Sequence, residues 1–84
     1  MKEFNDLEFS NNGMALQAVM EFDNDYGVSV LVESNAREYE LAVLHKGAIC
    51  YDTHITSDVE RWLTEMEVTE IMKEVQQLKK VIPH

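Results

Sequence analysis

Three residues within five positions carry the side-chain types of covalent catalysis: Cys50 as a thiol nucleophile, His54 as its base and Asp52 as the group orienting that base. The attacking species would be the thiolate. Cys50 instead lies in the apolar run Ala48-Ile49-Cys50-Tyr51, where the charged form is disfavoured. The cysteine therefore reads as a small buried structural residue, and a hydrolase is the least favoured of the functions considered. Asp23-Asn24-Asp25-Tyr26-Gly27 has the look of a calcium loop, but an EF-hand needs a ligand at its fifth position and a bidentate Glu at its twelfth. This chain has Gly27 and Ser34 there, so the segment reads as a hairpin turn whose Asx side chains bond local backbone and whose glycine supplies a positive φ. His45, His54 and His84 show no i, i+4 pairing and have no cysteine pair beside them, which argues against a metal site. Gly-rich phosphate loops are absent. The expectation is no catalytic residues, no cofactor and no metal.

Size and charge narrow the remaining classes. At 84 residues the chain forms one small domain, and such a domain buries only roughly 60% of its unfolded surface. That leaves little room for a deep, water-excluding active site. Sixteen acidic residues against seven basic ones give a net charge of -9, which opposes binding to nucleic-acid phosphates and to anionic membranes. An apolar fraction of 45% is too high for simple disorder. A single cysteine cannot form an internal disulfide, and the opening Met1-Lys2-Glu3-Phe4-Asn5-Asp6 lacks the apolar stretch of a signal peptide. A cytoplasmic location is expected.

The elements that must position any site are legible from periodicity. Met14, Leu16, Ala18, Met20 and Phe22 alternate with polar residues and predict a strand over 14–22. A turn at Asn24, Asp25 and Gly27 leads to Val28, Val30 and Val32, and after a turn at 34–36 Tyr39, Leu41 and Val43 make a third strand. Ala48 to Tyr51 makes a fourth. Asn12-Gly13 is a hairpin signal, so residues 1–12 supply either an extra edge strand at Leu7 to Ser10 or a loose arm. Ser57-Asp58-Val59-Glu60 and Thr64-Glu65-Met66-Glu67 both fit the capping box and predict two helix starts. The second helix carries Val68, Ile71, Met72, Val75, Leu78 and Ile82 on one face and ends near Pro83. The fold expected is α+β: a three- to four-stranded antiparallel meander, then a short helix and a longer C-terminal helix packed on one sheet face. Trp62, at the junction of the two helices, is expected to pack against the end of the sheet rather than to act as a binding anchor; were it exposed, an aromatic at that corner would serve as a hot spot.

The charge is unevenly placed. Residues 1–42 carry a net -7 and residues 43–84 a net -2. If the even-numbered face of the first strand goes under the helices, the other face presents Val19, Leu31, Ala42 and Leu44 amid Gln17, Glu21, Glu33, Glu38 and Glu40. A part apolar, part anionic face reads as an interaction site. Val19, Glu21, Leu31, Glu33, Glu38, Glu40 and Leu44 are the candidate partner-binding residues. Three occupants fit: another protein, a second copy of the chain, or the N-terminal segment folded over through Phe4, Leu7 and Phe9.

The segments Phe22-Asp23-Asn24-Asp25-Tyr26-Gly27-Val28-Ser29-Val30, Tyr39-Glu40-Leu41-Ala42-Val43-Leu44, Tyr51-Asp52-Thr53-His54-Ile55-Thr56-Ser57-Asp58-Val59 and Leu63-Thr64-Glu65-Met66-Glu67-Val68-Thr69-Glu70-Ile71-Met72 resemble a group of small uncharacterised proteins of phages and prophages. The similarity runs from about Asn11 to Leu78. Those relatives usually have Gly at the position of Asp25, Pro at that of His54, and a longer Gly-rich connection in place of Ser34 to Arg37. The resemblance implies a phage setting and transfers no catalytic residues. The function expected is that of a small acidic, non-enzymatic accessory protein in the host cell that binds another protein, as an inhibitor of a host defence or nucleic-acid-handling complex. The alternative is a homo-oligomeric structural or regulatory phage protein.

Overall fold

The computed structural model describes residues 1–33, 36–56 and 58–81. The alternating segments form an antiparallel sheet of β1 (Ser10–Asn11), β2 (Ala15–Glu21), β3 (Tyr26–Glu33), β4 (Tyr39–His45), β5 (Ala48–Ile49) and β6 (Glu60–Leu63), followed by one helix, α1 (Glu65–Gln76). Strands β1 to β5 pair in chain order. The outer edge of β4 is shared: β5 pairs with it at Leu44 and His45, and β6 pairs at Tyr39 and Leu41. No helix among the described residues is long and apolar enough to cross a membrane.

Periodicity decides which face is buried. The register sets Ala18 beside Val30 and Val30 beside Leu41, with Met20, Val28 and Val43 in the next row, so the even positions of β2 and β3 and the odd positions of β4 share one face. Helix α1 lays Val68, Met72 and Val75 onto that face at i, i+4 and i+7. All three helix residues, with Val28, Val30 and Leu41, are 0% exposed. Full burial stabilises each such side chain by about 1.5–3 kcal/mol. The helix starts where its capping box places it: Glu67 N–H donates to Thr64 Oγ1 (3.1 Å) and Thr64 N–H to Glu67 Oε1 (3.0 Å).

The structure corrects several expectations. There are more strands than three or four, and the short helix predicted from the first capping box is absent among the described residues, where Glu60–Leu63 pairs as β6 instead. Ser57 and Thr64 stand only seven positions apart, too few for a helix and a connection. Ser57 itself lies outside the described residues, as do the turn positions Ser34 and Asn35. The C-terminal helix closes at Gln76, well before Pro83, which with Ile82 and His84 also lies outside them. Its end is fixed by tertiary contact: the Asn24 side-chain amide donates to the carbonyls of Val75 and Leu78, both at 2.9 Å, satisfying acceptors that a helix end leaves open.

The extra edge strand exists but is Ser10–Asn11 rather than Leu7 to Ser10. The residues before it dock on the helix side. Gln76 clamps the backbone of Lys2 through two 2.8 Å bonds, and Phe4 N–H donates to Thr69 Oγ1 at 3.0 Å. Leu7 joins the core while Phe4, Phe9 and Tyr39 stack as an aromatic cluster with centroids 5.0–5.9 Å apart. Burial, and then the carboxylate of Glu65, push the Tyr39 phenol above its ordinary value. The N-terminal segment therefore does not fold over the other face of the sheet.

Two methionines on α1 test this orientation. Met72→Ala is expected to cost about 2–5 kcal/mol, and Met66→Ala, at an exposed position, less than about 0.5 kcal/mol. Urea midpoints measure both, and equal losses would contradict the helix orientation.

Candidate functional site

Among the described residues, Cys50, Asp52 and His54 are not joined into one constellation. Cys50 is half-buried and lies outside the main core, correcting the expectation of a core cysteine. Its N–H continues the pairing with Val43 at 2.8 Å. Asp52 and His54 are exposed, and among the described residues no hydrogen bond joins the three. No group of three His, Cys, Asp or Glu among the described residues could hold a metal ion. The Asp23-Asn24-Asp25 segment is a turn whose central amide caps the helix end, with Tyr26 N–H donating to Asn24 Oδ1 at 3.1 Å. The positive φ falls on Asp25 (71°) rather than on Gly27. Gly27 is required for another reason: a Cβ there would overlap the carbonyl oxygen of Met20 on the paired strand.

The candidate partner-binding residues share one surface. On the face opposite the helix, Gln17 pairs with Leu31 and Leu31 with Glu40; Val19 is beside Ser29 and Ser29 beside Ala42; Glu21 is beside Gly27 and Gly27 beside Leu44. Within this face the structure separates the candidates. Val19 is 58% exposed, whereas Leu44 is buried at 6% and offers almost nothing to a partner. Leu44 pairs with Ile49, which is 57% exposed and carries the apolar character outward at that edge.

Glu40 is where β6 completes the surface. Tyr39 pairs with Leu63 and Leu41 with Glu60, so two residues of β6, Arg61 and Trp62, oppose the single residue Glu40. This is a β-bulge, a device that re-aims side chains at sheet edges. Both bulged residues reach the outer face. The Arg61 guanidinium donates to Glu40 Oε1 at 2.8 Å, and Trp62, with φ of +56°, lines a cleft of about 200 Å³ together with Leu31, Glu33, Ala36, Glu38 and Glu40. Four of the seven candidates, Leu31, Glu33, Glu38 and Glu40, are thus brought together in one cleft. Val19 and Glu21 lie further along the same face.

Trp62 is the residue that sequence reasoning placed wrongly. It does not pack against the end of the sheet but stands 77% exposed. The available signal was the spacing of the capping boxes, which leaves Glu60-Arg61-Trp62-Leu63 as an extended link before Thr64. Left-handed backbone costs a non-glycine residue roughly 1–2 kcal/mol, and such outliers gather at functional sites.

No family model, curated protein or solved structure matches the chain.

The bulge makes a stability prediction that separates a functional tryptophan from a structural one. Trp62→Gly is expected to leave stability unchanged or raise it by up to about 1 kcal/mol, because relief of the left-handed φ outweighs the little packing lost. Trp62→Ala, which keeps a Cβ, gains nothing. Thermal unfolding measures this, and a loss beyond about 1 kcal/mol in the glycine variant would show that the indole holds the fold together.

Proposed function

We propose that this is a non-enzymatic accessory protein that binds another protein through the outer face of its sheet. One observation carries the reading: the face opposite α1 is left open by the chain's own N-terminal segment, yet it presents Val19, Ile49 and Trp62 among Glu21, Glu33 and Glu38. An exposed face of an antiparallel sheet is ordinarily polar. Exposed apolar side chains within an acidic rim have the composition of an interface, with a tryptophan of the kind that dominates binding energy.

The partner that fits is basic. Complementary charge speeds association and makes it salt-sensitive, and a groove built to hold nucleic-acid phosphates is one basic surface of this kind. In the phage setting implied by the sequence resemblance, the reading extends by analogy to inhibition of a host defence or nucleic-acid-handling complex. The alternative of a homo-oligomer draws on the same apolar residues. It would bring together the acidic faces of chains that each carry -9, a repulsion that a basic partner avoids.

Capture from host-cell lysate at low and at moderate salt tests the reading. A specific protein is expected at low salt, retained less at moderate salt and lost with the folded variant Glu33→Lys/Glu38→Lys. Equal yields of the same protein with this variant would overturn the proposal. A stable dimer by light scattering, dissociated by Val19→Lys, would favour the homo-oligomer.

A further inference from the structure

We infer that the cleft at Trp62 takes the guanidinium of an arginine from a basic, extended segment of the protein partner, stacked on the indole and paired with the carboxylates of Glu33 and Glu38. This rests on the reading of the outer face as a protein-binding surface and specifies what the surface holds.

Size comes first. Small-molecule sites occupy roughly 300–1,000 Å³, and this cleft, at about 200 Å³, has room for one long side chain. Its lining divides by chemistry. Leu31 and Ala36 supply apolar wall for a methylene stem, as long cationic side chains prefer, while Glu33, Glu38 and Glu40 supply the charge. Glu40 is already engaged by Arg61. Among the described residues Glu33 and Glu38 take part in no ion pair, even though Arg37 is next to Glu38 in the chain.

The indole selects between the two candidate cations. An ammonium is compact and strongly hydrated, whereas a guanidinium is planar, weakly hydrated and able to stack on an aromatic face while bonding carboxylates from its edge. The Arg61–Glu40 pair is an internal instance of that bonding on the same rim. A second copy of the chain is a poor donor. It contains only Arg37 and Arg61; the latter is paired with Glu40, and the former lies in the chain between Ala36 and Glu38, two residues that line the cleft itself. A basic segment from another protein brings the needed cation without opposing two acidic faces.

The probes are blocked hexa-arginine and hexa-lysine peptides, titrated into the isotopically labelled full chain and followed by amide and indole chemical shifts. Hexa-arginine is expected to shift the Trp62 indole N–H and the amides of Glu33 and Glu38, and to bind at least about threefold more tightly than hexa-lysine. Glu33→Gln/Glu38→Gln, close in shape to the native pair, is expected to weaken hexa-arginine binding by about fivefold or more. Trp62→Ala is expected to abolish the preference for arginine. Equal binding of the two peptides, or shifts spread evenly over distant carboxylates such as Asp6 and Glu70, would overturn the inference. The two proposals fail separately. Lysate capture that survives both Glu33→Gln/Glu38→Gln and Trp62→Ala but is lost with Val19→Lys leaves the binding face standing and overturns the arginine cleft. An arginine preference centred on Trp62 with no protein captured supports the cleft's chemistry and overturns the protein-binding reading.

Discussion

Everything in this fold depends on one sheet face being buried by one helix. A chain of 84 residues has material for a single core, and that core is the seam between Val28, Val30, Leu41 and Val43 on the sheet and Val68, Met72 and Val75 on α1. The other contacts of the chain serve this seam. Asn24 holds the end of the helix, Gln76 and Thr69 hold the N-terminal segment against its flank, and the Phe4, Phe9 and Tyr39 rings close one end. With the N-terminal segment committed to the helix side, that segment does not cover the opposite sheet face, where Val19 and Trp62 stand exposed while Ala42 and Leu44 are buried.

The consequence for function lies at β6. A regular strand paired with β4 would alternate Arg61 and Trp62 between the two faces, sending one of them toward the helix. The bulge places both on the outer side, opposite Glu40. The strand thereby joins an ion pair to an aromatic wall, at the cost of a left-handed backbone at a bulky residue. Exposure of that indole, the only one in the chain, beside Glu33 and Glu38, which take part in no ion pair among the described residues, distinguishes this face from an ordinary solvated sheet.

The parts of the fold legible in the sequence are those governed by local period. Alternation through Ala18 and Met20 correctly assigns the buried face of β2, and the box Thr64 to Glu67 marks the start of α1. The parts that were not legible depend on tertiary partners. The box at Ser57 to Glu60 has the pattern of a helix start, but pairing with β4 claims Glu60–Leu63 as a strand; the end of α1 depends on Asn24, some fifty positions away in the chain. The candidate site divides in the same way. Alternation alone sets Leu31, Glu33, Glu38 and Glu40 on one face, whereas a residue aimed by a bulge breaks the period that would have located it, and so Trp62 was misplaced. Leu44 is on the predicted face, but alternation assigns a side without saying whether neighbouring residues close over it.

The most direct measurement is collisional quenching of Trp62 fluorescence in the free protein, which needs no partner. The expected result is solvent-like emission, efficient quenching by neutral acrylamide, and quenching by caesium stronger than by iodide when each is referred to free N-acetyltryptophanamide, because the carboxylates of the cleft draw cations in and turn anions away. Added salt should shrink the difference between the two ions. A blue-shifted emission protected from acrylamide, or iodide and caesium quenching alike at low salt, would contradict an exposed indole in an acidic cleft, and with it the binding role proposed for the face around that residue.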